Sequence, residues 1–287
     1  MNILVTGGTG FVGSYVVDEL LKAGHNVIAV KRKGSRPPIT MSRNPKWIER
    51  NLLELSRSDL EGVEAVVHLA AAGVSPQKWK WEELEKINII GSLRLIKLCK
   101  ESGIKRFVAS GTCHEYGKEG CKWSKIPPNA PLRPITPYAA SKAAGFFMLN
   151  TFAINNEMEF VYARIFNTYG DGQHHKNLWP SLRKAAFDGE DFHITNGKQL
   201  IDISPIRTVA NHLKKTTYRS DVIQGSPFIV NIGSGIETSV LNFCEEWWMK
   251  LNATGRLILG AQQIINDKEE RYVADISGLE YREFCDG

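Results

Sequence analysis

The sequence predicts an α/β fold in which a parallel sheet is covered on both faces by helices. Three observations predict it. Short apolar runs alternate with helix-patterned stretches as far as residue 165. The first of these runs passes through a glycine-rich turn straight into a helix. The chain, 287 residues of which 43% are hydrophobic and 23% charged, has the length and composition of one that buries a large core.

The elements follow in order. Residues 2–6 (Asn-Ile-Leu-Val-Thr) read as a short buried strand. After the glycines at 7–10, residues 11–23 carry Val12, Val16, Leu20 and Leu21 at helical spacing, with Gly24 as a stop. Residues 26–30 and 65–71 are further strands, and a helix over 81–101 buries Leu84, Ile87, Leu95 and Leu98. A strand at 106–110 leads toward the loop 121–137, which holds Pro127, Pro128, Pro131, Pro134 and Pro137. A helix at about 138–154 and a strand at 159–165 complete the alternation. The rest is less regular, with turns at Asp171-Gly172, Asn196-Gly197 and Gly233-Ser234-Gly235. Trp247 and Trp248 beside Phe243 read as the core of a smaller region.

A net charge of +5 is too weak to argue for nucleic acid but suits an anionic small molecule. No apolar run reaches the roughly 18–20 residues of a membrane span, and the N-terminus lacks the pattern of a signal peptide. The five cysteines show no Cys-x-x-Cys spacing, so no zinc site or disulfide framework is expected. A cytoplasmic enzyme with reduced thiols is the expectation.

The turn Gly7-Gly8-Thr9-Gly10-Phe11-Val12-Gly13 lies between strand and helix, with Gly7, Gly10 and Gly13 spaced as G-x-x-G-x-x-G. Such a turn lets a pyrophosphate approach the backbone, and the helix N-terminus offers free N–H groups to it. This predicts a Rossmann-like dinucleotide site. The second strand normally ends in an acid that grips the ribose of NAD; here it ends in Lys31-Arg32-Lys33. Cations suit a 2′-phosphate, so NADP(H) is expected over NAD(H). A solvated basic loop tip is the alternative reading.

Tyr138 and Lys142, four residues apart, fall on one face of the helix after the proline-rich loop. A phenol titrates near 10, and serving at neutral pH needs a drop of about 3 units, or ~4 kcal/mol. One ammonium at ~4 Å supplies about that much at an effective dielectric near 20. Upstream, Thr112 stands just past a strand end, where its hydroxyl reaches a carbonyl or alkoxide oxygen beside Tyr138.

With these residues in place the chain resembles the extended short-chain dehydrogenase/reductases of the nucleotide-sugar epimerase/dehydratase/reductase family. The resemblance runs through Thr-Gly-Gly-Thr-Gly-Phe-Val-Gly (6–13), Leu69-Ala70-Ala71, Asn88 with Gly91, and Thr112 four residues before Tyr116-Gly117. It continues through Tyr138/Lys142, Arg164-Ile-Phe-Asn-Thr-Tyr-Gly (164–170), Asn231-Ile-Gly-Ser-Gly (231–235) and Arg271 with Asp275. It implies a dinucleotide-binding domain over 1–166 and a region over 167–287 that binds a nucleoside-diphosphate sugar, some of its elements packing back on the first. Tyr138 then exchanges a proton with the sugar, and Lys142 lowers the tyrosine pKa and holds the nicotinamide ribose. The implied cofactor contacts also include Asn51, Leu52, Asn88, Ser110 and Ile165, and the implied substrate contacts are Cys113, His114, Asn167, His175 and Arg271. A homodimer through the helix bearing Tyr138 is implied as well.

Departures from the family narrow the reaction. Its 4,6-dehydratases carry an Asp-Glu pair directly after the hydroxyl residue; here Cys113 and His114 stand there, so elimination of water lacks its acid and base. His114 is either an acid/base, as the cysteine of 3,5-epimerising relatives is, or a polar pocket wall. His174 and His175 are candidates for the substrate side or ordinary exposed loop histidines. Ile201 replaces the arginine that many relatives place before Asp202, so a grip on the diphosphate falls to Arg271, Lys198 or Arg207. Lys78-Trp79-Lys80-Trp81 reads as a base-stacking or a packing segment. These features favour NADPH-dependent reduction of a nucleoside-diphosphate 4-keto-6-deoxy sugar. A nucleotide-sugar epimerase is the alternative, and a non-catalytic dinucleotide-binding protein is a further one.

Overall fold

The structure is a computed structural model that describes residues 1–74, 76, 80–260 and 271–279. Lys78, Trp79 and Cys285 lie outside the described residues. The elements in chain order begin with β1 (Asn2–Thr6), α1 (Phe11–Lys22), β2 (Asn26–Lys31), β3 (Lys46–Glu49) and β4 (Ala65–His68). Next come α2 (Trp81–Leu84), a π-helical segment (Glu85–Gly91), α3 (Ser92–Glu101), β5 (Arg106–Thr112), α4 (Pro137–Asn155) and β6 (Glu159–Ile165). The later part contributes β7 (Asn167–Tyr169), α5 (Leu178–Asp188), β8 (Phe192–Ile194), β9 (Leu200–Ile201), β10 (Ile203–Pro205) and α6 (Ile206–Tyr218). It closes with β11 (Phe228–Ile232), β12 (Thr238–Ser239), α7 (Val240–Lys250), β13 (Leu257–Leu259) and β14 (Arg271–Tyr272).

Seven strands form one parallel sheet in the order β11-β6-β5-β4-β1-β2-β3. The order reverses between β1 and β4, and a ligand crevice lies at the carboxyl ends of strands at such a switch point. The central strands are apolar throughout because both faces are covered. On one face Val16, Val17, Leu20 and Leu21 of α1 pack with Val209, Ala210 and Leu213 of α6. On the other, Leu95, Ile96 and Cys99 of α3 pack with Phe146, Leu149 and Ala153 of α4. The Rossmann-like fold class is thus as the sequence predicts.

Three details differ from the sequence pattern. β3 was missed because it is a short edge strand with two exposed and two half-buried positions. The stretch 81–101 is helical, but its middle turns are π-helical around the buried Asn88. After residue 166 the chain leaves the sheet and then returns to it, since α6 covers one face and β11 adds the seventh strand beside β6. What remains outside is a small unit in which Trp179 and Leu182 of α5 pack with Phe243 and Trp248 of α7, with Trp247 alongside. Tyr169 lies edge-on to Trp179, Phe243 and Trp247.

Candidate active site

The glycine turn connects β1 to α1 at the switch point. Gly7 has φ +72°, and a Cβ there would lie 2.8 Å from the Ala70 amide nitrogen, at the end of β4. A Cβ on Gly13 would overlap the Gly7 carbonyl oxygen. The turn therefore closes tightly on the helix start, which leaves the first-turn amides of α1 facing outward behind the exposed Gly10. Thr9 hydrogen-bonds Ser35 at 3.1 Å, tying the turn to the segment after β2. Leu69, Ala70 and Ala71 follow β4 as half-buried backbone, and the Ala70 amide donates to Thr6 Oγ1 at 3.3 Å.

The basic cluster divides. Lys31 reaches its cross-strand partner Glu49 at 3.7 Å and lies over the Trp47 ring, while Arg32 and Lys33 are exposed. One of the three cations that favoured a 2′-phosphate thus has a protein carboxylate beside it. Asn51, downstream of β3, bonds Glu54 through both its backbone and its side-chain amide, and Leu52 is buried against Gly91. Ser110 donates to the His68 carbonyl at 3.4 Å, and Ile165 packs half-buried at the end of β6.

Thr112 ends β5 and caps the turn Cys113–Glu115. Its Oγ1 accepts from the His114 amide at 3.4 Å, which leaves the hydroxyl hydrogen to be donated. Tyr138 opens α4, which is capped by Thr136 through the Ala139 amide and has Pro137 in its first turn. Gly73, at φ +82°, lets the Tyr138 ring approach closely; a Cβ there would sit 3.2 Å from the ring. Asn88 accepts from the Ala72 amide at 2.8 Å and donates to the Ala72 carbonyl and to Ser141. Ser141 donates to the Tyr138 carbonyl at 2.8 Å. With both amide hydrogens used this way, Asn88 clamps the loop after β4 to the start of α4.

Among the described residues, neither the Tyr138 hydroxyl nor the buried Lys142 ammonium makes a hydrogen bond. Tyr138 is half-buried and Lys142 buried, and neither head is among the buried polar atoms left without a partner, so both stay open to the crevice. They stand at the carboxyl end of the sheet with the glycine cradle, as binding of a nicotinamide dinucleotide requires. The electrostatics differ from the expectation. Burial pushes the Tyr138 phenol above its ordinary value, and the Glu115 carboxylate and the Cys113 thiol add to this. Burial likewise holds the Lys142 ammonium below its ordinary value. In the protein alone, desolvation outweighs the attraction of ammonium for phenolate, because both groups would be charged in a low-dielectric site.

Other expected residues separate into those near the site and those away from it. Cys113 is buried with Tyr116, Ile126, Phe166 and Tyr272, and burial raises its thiol to about 12, so it serves packing and not substrate contact. His114 is exposed with its ring edge-on to Tyr272. Asn167 is half-buried and donates to the Asp202 carbonyl at 3.3 Å. His175 is exposed and stacked on His174. Arg271 pairs with Glu237, and its Nε is buried without a partner among the described residues. Arg207 lies instead over the Tyr15 ring and 3.9 Å from Glu19 on the α1 face, so it is no grip for a diphosphate. Lys198 is exposed.

Three buried polar residues were missed. Glu115 bonds the Thr112 amide, the Tyr162 hydroxyl and Arg164. The spacing Thr112-x-x-Glu115, a capping-box pattern, was the available signal. Asp202 accepts from the Ser234 and Gly235 amides at 2.8 Å each, fixing the turn after β11. His68 bridges Thr6 and Ser92, and burial takes it down to about 3, so it is neutral.

A dinucleotide cradle beside a hydroxyl, a phenol and an ammonium defines an enzyme of the nicotinamide-dependent epimerase and dehydratase type. The chain belongs to the NAD dependent epimerase/dehydratase family, whose model matches residues 3–233. It is 30% identical over 256 residues to YtcB of Bacillus subtilis strain 168, an uncharacterized UDP-glucose epimerase, which covers 84% of this chain and 79% of that one. The structure of MoeE5 in complex with UDP-glucose and NAD is similar with a TM-score of 0.80 at 28% identity, covering 97% of this chain and 91% of the other. A UDP-N-acetylglucosamine 4-epimerase of Methanobrevibacter ruminantium M1 is similar with a TM-score of 0.86 at 25% identity, over 97% and 90% of the two chains. No helix among the described residues is long and apolar enough to cross a membrane.

Proposed function

We propose that the chain is a nicotinamide-dependent nucleotide-sugar 4-epimerase. The observation that carries this reading is the placement of Tyr138 and Lys142 on the first turns of α4, packed against the turn that Thr112 caps at the end of β5, with no carboxylate at 113 or 114. Tyr138 takes the proton of a sugar hydroxyl and later gives it back, while Thr112 donates a hydrogen bond to the same oxygen. Lys142 orients the bound ribose and favours the phenolate when the site fills. A bound nicotinamide dinucleotide supplies the place where the hydrogen on the sugar carbon is held between removal and return. Elimination of water needs an acid and a base together, and the buried Cys113 thiol supplies neither, which leaves His114 as a single group where the dehydratases have a pair.

The reductase reading that the sequence favoured rests on Lys31-Arg32-Lys33, and the approach of Lys31 to Glu49 weakens it. The relatives named above support retention of NAD and epimerisation of a UDP-hexose. Exposed Arg32 and Lys33 favour NADPH-dependent reduction of a 4-keto sugar as the second reading. Incubation of the purified protein with UDP-glucose should give its C4 epimer with no net change in nicotinamide absorbance. Absence of any epimer, together with NADPH consumption on a nucleoside-diphosphate 4-keto sugar, would establish the second reading instead.

We further propose a homodimer through the outer face of α4, where Phe147 is 57% exposed beside Met148, with Ile90 of the π segment also exposed. Sedimentation should give the mass of two chains, and Phe147→Glu should reduce it to one.

A further inference from the structure

Behind the catalytic turn lies a buried polar group with no part in the chemistry above. Glu115 Oε1 accepts from the Thr112 amide at 2.8 Å and from the Tyr162 hydroxyl at 2.9 Å. Glu115 Oε2 accepts from Arg164 Nε at 2.8 Å. Arg164 also donates to the Pro128 carbonyl at 2.9 Å and packs its guanidinium among the rings of Tyr116, Phe146 and Tyr162. Glu115 is 0% exposed and Arg164 1%. The Tyr162 hydroxyl lies 3.3 Å from the Lys142 carbonyl, so the group touches α4 as well as β5 and β6. A Cβ on Gly111 would stand 2.8 Å from Glu115 Oε1, so the strand approaches this carboxylate closely.

A buried ion pair is a poor way to gain stability, since well-packed apolar side chains of the same volume often do as well. The placement of this one is therefore informative. It joins the elements that carry Thr112, Tyr138 and Lys142, and nothing in it reaches solvent. We propose that Glu115 is a positioning residue of the catalytic turn, its carboxylate fixing Thr112 through the backbone amide and the start of α4 through Tyr162. The inference rests on the assignment of Tyr138 as the proton-exchanging group. Its electrostatic consequence follows from the same geometry. After burial, the Glu115 charge is the largest influence on the Tyr138 phenol and opposes its ionisation. It therefore keeps the proton on Tyr138 until a ligand changes the balance.

Glu115→Gln keeps the shape and removes the charge, and Glu115→Gln/Arg164→Met removes both charges together. The first readout is alkaline titration of tyrosine absorbance, comparing each protein with its own Tyr138→Phe version to isolate the Tyr138 component. It uses neither sugar nor dinucleotide. The Tyr138 component should move to lower pH in Glu115→Gln, and by less in the double variant, where a positive charge is lost as well. The second readout is kinetic: kcat should fall at least about tenfold with KM held within about twofold, because positioning acts in the transition state. A folded Glu115→Gln protein whose Tyr138 component and kcat both stay in place would overturn the proposal. So would failure of both variants to fold, which would assign the pair to the core alone. If wild-type protein turns over no nucleotide sugar, the epimerase reading fails, and the titration still decides this one.

Discussion

Tyr138→Phe should reduce turnover of a nucleotide sugar by about a hundred- to ten-thousand-fold, the range for loss of a general acid–base group. Dinucleotide affinity should stay within about twofold. The expectation follows from how the ring is held. Thr136 caps the helix through the Ala139 amide, and Ser141 ties down the Tyr138 carbonyl. Asn88 fixes Ser141 in turn, and Gly73 gives the ring its close seat. Phenylalanine fills the same seat, so only the hydroxyl is lost, and that hydroxyl makes no hydrogen bond with any described residue. Melting temperature should therefore barely change. Steady-state kinetics and a fluorescence titration with NADH on one preparation separate the two effects. Full turnover by the variant would remove Tyr138 from the chemistry and leave the proposed function without its proton carrier.

Arg164→Met should destabilise the protein by about 3–5 kcal/mol, because it leaves the Glu115 carboxylate buried without its counter-charge. For a domain of this size that lowers the melting temperature on the order of 10 °C. Methionine replaces much of the volume, so the cost is electrostatic more than steric. The side chain is enclosed by three aromatic rings, is shut off from solvent, and donates to Glu115 and Pro128. Adding Glu115→Gln should recover a large part of the loss, since a neutral amide is far easier to bury than a lone carboxylate. A double-mutant cycle by chemical denaturation measures this coupling. Equal, additive losses in the two single variants would show that the charges do not sense each other. The single variant should also dislodge Thr112, whose amide depends on the same carboxylate.

The two experiments probe different parts of one arrangement, and the parts were unequally legible in the sequence. The glycine turn was readable because strand, turn and helix are consecutive, and the reasons for its glycines are local ones. Tyr138 and Lys142 were readable for the same reason, since one helical turn sets their relation. β11 was not recognised as a sheet strand, because pairing with β6 joins segments more than sixty residues apart. β3 gave too little pattern to read. Arg207 and Cys113 were misjudged because a polar or reactive side chain near a motif says nothing of the direction it points. Arg207 turns to α1, and Cys113 turns into an apolar cluster.

The sequence by itself determined the fold class, through the alternation of strand and helix patterns as far as residue 165, and pointed to the glycine turn and to Tyr138 with Lys142 as candidates, through spacings within short segments. The tertiary structure alone decided the electrical character of that set. Lys142 was expected to bring the Tyr138 phenol down, but burial raises the phenol and lowers the ammonium, with Glu115 reinforcing the first effect. The reason is physical: the free energy of a charge depends on everything packed around it. Here the packing comes from four separate stretches of chain, around 70, 110, 140 and 160, that only folding brings together.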